Sequence, residues 1–268
     1  MVRLVENLTG RPGLIARAVG YESEVAAGGD FWEVMAARYG LSLEVLGGSL
    51  ANIPRSGPLV VIANHPYGIL DGLMLGRILA RTRSDFRILA NSVFRKAEAL
   101  DRIVLPVSFD DSRDGAQTNL GTRRQALEFL AAGGAVGVFP GGTVSTAARP
   151  FGPPMDPAWR SFTAKMIARS GAAVVPVYFD GHNSRLFQLA SHLHLTLRLA
   201  LLTREFRAQV GKPVRVVVGD PIEPGRLAAF GHDPKGMMAF LRRATYELSP
   251  GPLRSYGYGY DFDPKYRA

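Results

Sequence analysis

The chain has 268 residues, 47% of them hydrophobic, with no cysteine and a formal charge of +9. That composition suits a folded protein with a substantial core, and it excludes disulfides, thiolate metal sites and cysteine nucleophiles. The surplus of 32 Lys plus Arg over 23 Asp plus Glu favours an anionic partner, whether nucleic acid, a phosphorylated metabolite or acidic lipid, although an arginine-rich soluble protein would show the same balance. No uninterrupted apolar stretch approaches the roughly 20 residues of a spanning helix. Glu6, Arg11 and Pro12 interrupt the N-terminal segment, so no signal peptide is expected and any membrane contact would be peripheral.

Residues 1–40 read as a helical N-terminal segment, in which Asp30 and Glu33 have capping-box spacing and Gly40 supplies a stop. Leu41, Leu43 and Val45 then alternate as a strand would, before Gly47-Gly48 turns the chain. Six apolar runs suit buried strands: 59–63, 86–90, 103–107, 135–139, 173–179 and 214–218. Helical patterns at 71–81, 119–132 and 158–169 separate several of them, and Asp233-Pro234 opens a last helix over about 234–247. The expectation is an α/β fold with a central mixed, largely parallel sheet flanked by helices. With no repeat or linker, one domain spanning 1–268 is expected, ending in an irregular tail over 249–268.

The run LVVIA ends in N-H-P-Y-G-I-L-D-G. Open α/β sheets present functional groups at the carboxyl ends of their strands, which is where His65 should emerge. An ideal helix turns about 100° per residue, so His65 and Asp71 would face apart. Pro66 and Gly68 allow a turn that brings them together. A carboxylate on one ring nitrogen would then fix the tautomer in which the other takes a proton from a hydroxyl. The competing account is a structural histidine with Asp71 as a helix cap, and spacing alone slightly favours that account.

AVGVFPGGTVS, residues 135–145, again runs from a buried strand into a glycine-rich turn with hydroxyls. Consecutive N–H groups there could form a nest for an anion or oxyanion, although strand ends commonly carry such turns. The loop lacks the Gly-Lys-Ser/Thr of a Walker motif.

Taken in order, NHPYGILDG, FPGGTVS and VVPVYFDGHNS resemble the blocks of the glycerolipid acyltransferases, which include 1-acylglycerol-3-phosphate acyltransferase. The likeness is greatest to a bacterial branch described as hemolysin-like or as lyso-ornithine-lipid acyltransferases, and extends from about residue 8 to residue 222. It implies transfer of a fatty acyl group from a thioester of acyl carrier protein or coenzyme A to a lysolipid hydroxyl. His65 and Asp71 would be catalytic, with no acyl-enzyme and no cofactor or metal. It implies substrate contacts from Asn64, Gly68, Phe139, Pro140, Gly141, Gly142, Thr143 and Ser145, with Asn183 and Lys96 as further candidates. Gly141 and Gly142 N–H groups would stabilise the oxyanion, and Lys96 with Arg95 could meet an acidic headgroup or carrier.

Two departures stand out. Five residues rather than four separate His65 from Asp71, and Gly141 replaces the glutamate of the family's Phe-Pro-Glu-Gly-Thr block. Where the family carries a phosphate-gripping arginine, this chain has Asp110 and Asp111, with Arg113 beyond. Together these departures point away from a phosphomonoester acceptor and towards another headgroup, and Gly141 in place of the glutamate leaves a catalytically inactive lipid-binding relative as the alternative.

Residues 184–202, apolar but broken by polar groups, suit either core or a patch for an anionic membrane on its cytoplasmic face, helped by Arg185, Arg198, Arg204 and Arg207. His182, His192 and His194 have no acidic or thiolate partner at compact spacing, so no metal site is expected. No Gly-x-Ser-x-Gly elbow suggests a serine hydrolase, and the scattered arginines form no nucleic-acid motif.

Overall fold

A computed structural model describes residue 7 and residues 10–91, 98–107 and 113–262. The N-terminal segment forms helices α1 (Arg11–Ala18), α2 (Tyr21–Ala26) and α3 (Phe31–Arg38). Asp30 caps α3 by accepting the N–H groups of Trp32 and Glu33 at 3.0 Å.

Seven strands make the main sheet: β1 (Ser42–Gly48), β2 (Leu59–Ala63), β3 (Phe86–Asn91), β4 (Val104–Val107), β5 (Ala135–Val138), β8 (Ala173–Phe179) and β9 (Pro213–Val218). Their spatial order is β1-β9-β8-β2-β5-β3-β4, with every pairing parallel except β8 with β9. The expected mixed, largely parallel sheet is thus present. Strands β6 (Thr146–Ala147) and β7 (Pro154–Met155), which the sequence did not suggest, form a separate hairpin.

Helix α4 (Ile69–Thr82) follows β2, α5 (Glu98–Asp101) precedes β4, and α6 (Arg113–Ala131) leads into β5. Then come α7 (Ser161–Ser170), α8 (Arg185–Leu193), α9 (Leu195–Gln209), α10 (Pro224–Ala228) and α11 (Pro234–Tyr246). Alternate residues of β2 enter opposite layers, as a pleated strand requires. Leu59, Val61 and Ala63 join the core containing Trp32 of α3, Met74 and Ile78 of α4, and Phe206 of α9. Val60 and Ile62 join the core formed with Leu130, Ile167 and Leu241 of α6, α7 and α11. All five β2 residues are buried.

The N-terminal helices brace α4. A Cβ on Gly76 would lie 2.2 Å from the Trp32 ring, so only glycine lets α3 approach this closely. Glu33, expected to complete the cap of its own helix, instead reaches Arg77 at 2.8 Å and Arg81 at 2.5 Å. Hydrogen bonds from those two arginines hold its carboxyl down at about 2. A lowered folded pKa adds stability above the unfolded value, and that stability is lost as pH falls through the folded one. Glu33→Gln should therefore lower Tm by a constant amount above about pH 5, a difference that shrinks towards pH 2. Thermal melts of both proteins across that range check this.

Among the described residues no helix is long and apolar enough to cross a membrane.

Candidate active site

Strands β2, β5 and β8 are adjacent and parallel, so their carboxyl ends lie at one sheet edge. The three sequence blocks continue from those ends. Asn64 joins two of them: it donates Nδ2–H to Phe179 O at 2.9 Å, and its Oδ1 accepts the Phe179 N–H at 2.7 Å. Its amide therefore acts as a clamp between β2 and β8.

Beyond Asn64 the chain turns at Pro66-Tyr67-Gly68. Gly68 has φ 88°, a conformation that other residues adopt only with strain, and its missing side chain leaves room for Val144 and Leu202. The turn brings His65 Nδ1 to 3.0 Å from Asp71 Oδ2. Their approach lacks full hydrogen-bond alignment.

Asp71 is wholly buried at the third position of α4. Its Oδ2 also accepts the backbone N–H groups of Tyr67 and Gly68, both at 2.8 Å. The helix-cap and histidine-partner accounts therefore describe the same oxygen. Burial pushes the Asp71 carboxyl up from the usual carboxylate range, against the opposing pull of His65 and the two N–H groups. Tyr67, read from sequence only as a turn former, donates its hydroxyl to Asp180 O at 3.0 Å. Burial, with the nearby Asp71 and Asp180 charges, pushes its phenol up to about 12, so it stays a neutral donor.

The His65 ring stacks on Phe139 with centroids 4.2 Å apart. Ser145 donates its backbone N–H to His65 O at 2.8 Å, tying the glycine-rich loop to the histidine turn. Gly142, at φ 68°, donates its N–H to Phe139 O at 3.0 Å and is thus engaged within the loop. Pro140 and Gly141 are buried and Thr143 is half-buried.

Arg198 differs most from its expected surface role. It is 2% exposed, because α8 and α9 turn it inward beneath the glycine-rich loop. Its guanidinium donates to Thr143 Oγ1 at 3.1 Å, Val144 O at 2.7 Å, Thr146 Oγ1 at 2.5 Å and Ser191 Oγ at 3.0 Å. The rings of Phe187 and Phe262 flank it at 4.9 and 4.2 Å. Burial holds its pKa down to about 9. Arg204 pairs with Glu205, while Arg185 and Arg207 remain exposed.

Asn183 is buried beyond β8 with neither amide atom hydrogen-bonded. The histidines considered as metal ligands have other contacts: His182 Nδ1 lies 2.9 Å from Asn183 O, and His192 Nε2 lies 2.9 Å from Ala147 O. His194 caps α9 by accepting the Thr196 N–H at 3.0 Å. Lys96, Arg95, Asp110 and Asp111 lie outside the described residues, and Arg113 begins α6.

Sequence reading also missed Asp156, which is fully buried and accepts the His65 backbone N–H at 3.2 Å. A lone acid in an irregular loop carries no periodic signal, and only the β6–β7 hairpin returns it to the histidine.

A family model described as Acyltransferase matches residues 31–251. The lyso-glycine lipid O-acyltransferase of Phocaeicola vulgatus is 27% identical over 239 residues, covering 85% of this chain and 80% of that protein. Its namesake from Bacteroides thetaiotaomicron is 28% identical over 235 residues, covering 85% and 82%. Among solved structures, the 1-acyl-sn-glycerophosphate acyltransferase PlsC of Thermotoga maritima matches with a TM-score of 0.51 at 18% identity, covering 83% of this chain and 78% of that one. At that identity the likeness concerns the fold.

Proposed function

The chain belongs to the acyltransferase family, and from that premise we propose that it moves a fatty acyl group from a thioester to the hydroxyl of a lysolipid. The observation carrying this reading is His65 Nδ1 at 3.0 Å from the buried Asp71 Oδ2, beside the glycine-rich loop. Asp71 keeps the proton on Nδ1, so Nε2 is free to take the acceptor's hydroxyl proton. The oxygen attacks the thioester carbonyl as its C–O bond forms, and the tetrahedral intermediate collapses with cleavage of the C–S bond. The proton held by His65 passes to the departing sulfur. Gly142 N–H is engaged in the turn, so the oxyanion donor is assigned to Gly141 N–H. Acyl carrier protein or coenzyme A carries the thioester.

The acceptor is a lysolipid with an amino-acid headgroup of the lyso-glycine or lyso-ornithine type. The names of the curated relatives support this choice, as do the acids at 110 and 111. Labelled acyl thioesters incubated with a panel of lysolipids test it. Ester should form on a lyso-amino-acid lipid faster than on a lysophosphatidate; no transfer to any lysolipid hydroxyl would overturn the reading.

The enzyme works on the cytoplasmic face of an anionic membrane. Leu193, Leu195 and Leu199 of α8 and α9 are 77, 54 and 47% exposed, and Arg185 and Arg207 lie on the same helices. Full burial of a leucine contributes about 1.5–3 kcal/mol, so Leu193→Asp with Leu195→Asp should weaken binding to phosphatidylglycerol vesicles at least about tenfold. Sedimentation at low salt measures this. Equal pelleting of wild type and variant would remove these helices from the contact.

A further inference from the structure

Asp156 lies on the loop after β7, far in sequence from the histidine it touches. Its Oδ1 accepts both the His65 backbone N–H at 3.2 Å and the Ser145 hydroxyl at 2.5 Å. Its Oδ2 accepts the Trp159 indole N–H at 2.9 Å. All three donors are neutral. Its backbone is fixed as well: its N–H donates to the Tyr246 hydroxyl oxygen at 2.8 Å, and its carbonyl accepts from Arg242 Nη2 at 2.9 Å and the Gly259 N–H at 2.8 Å. The residue therefore joins the histidine turn, the glycine-rich loop, α11 and the C-terminal tail.

The carboxyl group occupies the space beside Gly141. A Cβ built there would stand 3.4 Å from the Asp156 carboxyl carbon and Oδ2, so a longer side chain at 141 would compete for its place. Burying an acid among neutral donors is costly, and a neutral acceptor could serve His65 and Ser145 at less cost in desolvation.

We propose that Asp156 is a positioning residue that fixes the His65 backbone to the Gly141–Ser145 loop, setting the imidazole against the position of the reacting carbonyl. This rests on the function proposed above. One oxygen shared by His65 and Ser145 leaves neither segment free to move without the other. Misplacing a reacting group by about 1 Å can cost about 10²-fold in rate, so loss of this link acts on kcat.

The test compares wild type with Asp156→Asn, Asp156→Ser and the pair Gly141→Asp/Asp156→Ser, all below their unfolding transitions. Serine at 156 is too short to reach both donors, whereas an amide oxygen in the place of Oδ1 still accepts from His65 and Ser145. Asp156→Ser should therefore lower kcat at least about tenfold, leave KM for the acceptor within about twofold, and speed exchange of the His65 amide at least about tenfold, while Asp156→Asn should recover most of that loss. The pair returns a carboxylate to the same space and should exceed the kcat of Asp156→Ser at least about threefold.

A folded Asp156→Ser protein with kcat within about twofold of wild type and unchanged His65 exchange would overturn the proposal. So would a folded pair no faster than Asp156→Ser; if Asp156→Ser fails to fold, Asp156→Asn decides, and a folded Asp156→Asn protein that has lost about tenfold or more in kcat overturns it. Amide exchange needs no substrate. A wild-type protein that transfers no acyl group would defeat the proposed function while this link stayed measurable.

Discussion

His65→Ala is expected to lower kcat by about 10²- to 10⁴-fold while the protein stays folded. The side chain is 18% exposed and its chief packing contact is the stacked ring of Phe139. Losing such a contact costs about 0.5–1.5 kcal/mol, a minor fraction of a typical domain's stability of about 5–15 kcal/mol. The His65 backbone N–H and carbonyl keep their partners in the variant, since Asp156 and Ser145 bind the main chain. Activity and stability should therefore separate. Steady-state kinetics beside a thermal melt check this; a kcat within about fivefold of wild type would remove His65 as the base.

Asp71→Ala is expected to lose both. Oδ2 is the acceptor for the N–H groups of Tyr67 and Gly68 as well as the partner of His65. Leaving two such donors unsatisfied costs about 1–3 kcal/mol each, or about 2–6 kcal/mol in all. A kinetic loss in that variant would be hard to separate from unfolding. Asp71→Asn separates them, because an amide oxygen in the place of Oδ2 still accepts from all three groups. What it removes is the negative charge that stabilises the imidazolium formed on proton uptake. Asp71→Asn should therefore keep most of the stability that alanine loses, yet lower kcat at least about tenfold. Denaturant titrations and single-turnover rates of the two variants side by side check both halves.

The central strands were the easiest elements to read. A strand buried on both faces must be continuously apolar, and the runs at 59–63 and 173–179 match β2 and β8 end for end. Helix α6 begins at Arg113, earlier than the pattern at 119–132, because its first turns carry few apolar residues to reveal the period. Residues 184–202 showed no single period because they form two helices. They break at His194, which is extended at φ −162° and ψ 133°.

The same break explains the misplacement of Arg198. Only the packing of α8 and α9 shows which face is inward, and charge alone suggested water. Pro66 and Gly68 showed only that a turn could bring His65 and Asp71 together, and it took the ordered blocks FPGGTVS and VVPVYFDGHNS to favour their meeting. Asp156 was not legible, since its place depends on contacts spanning 91 residues of sequence.

Single-turnover thiol release tests the central chemistry most directly. The enzyme, in excess over acyl thioester, is mixed without and then with a lysolipid acceptor. Direct attack by a hydroxyl activated at His65 predicts no burst of thiol and an unmodified chain mass without acceptor. With acceptor, one ester should form per thiol released, and His65→Ala should lose that release. A thiol burst without acceptor, with the chain heavier by one acyl group, would contradict it.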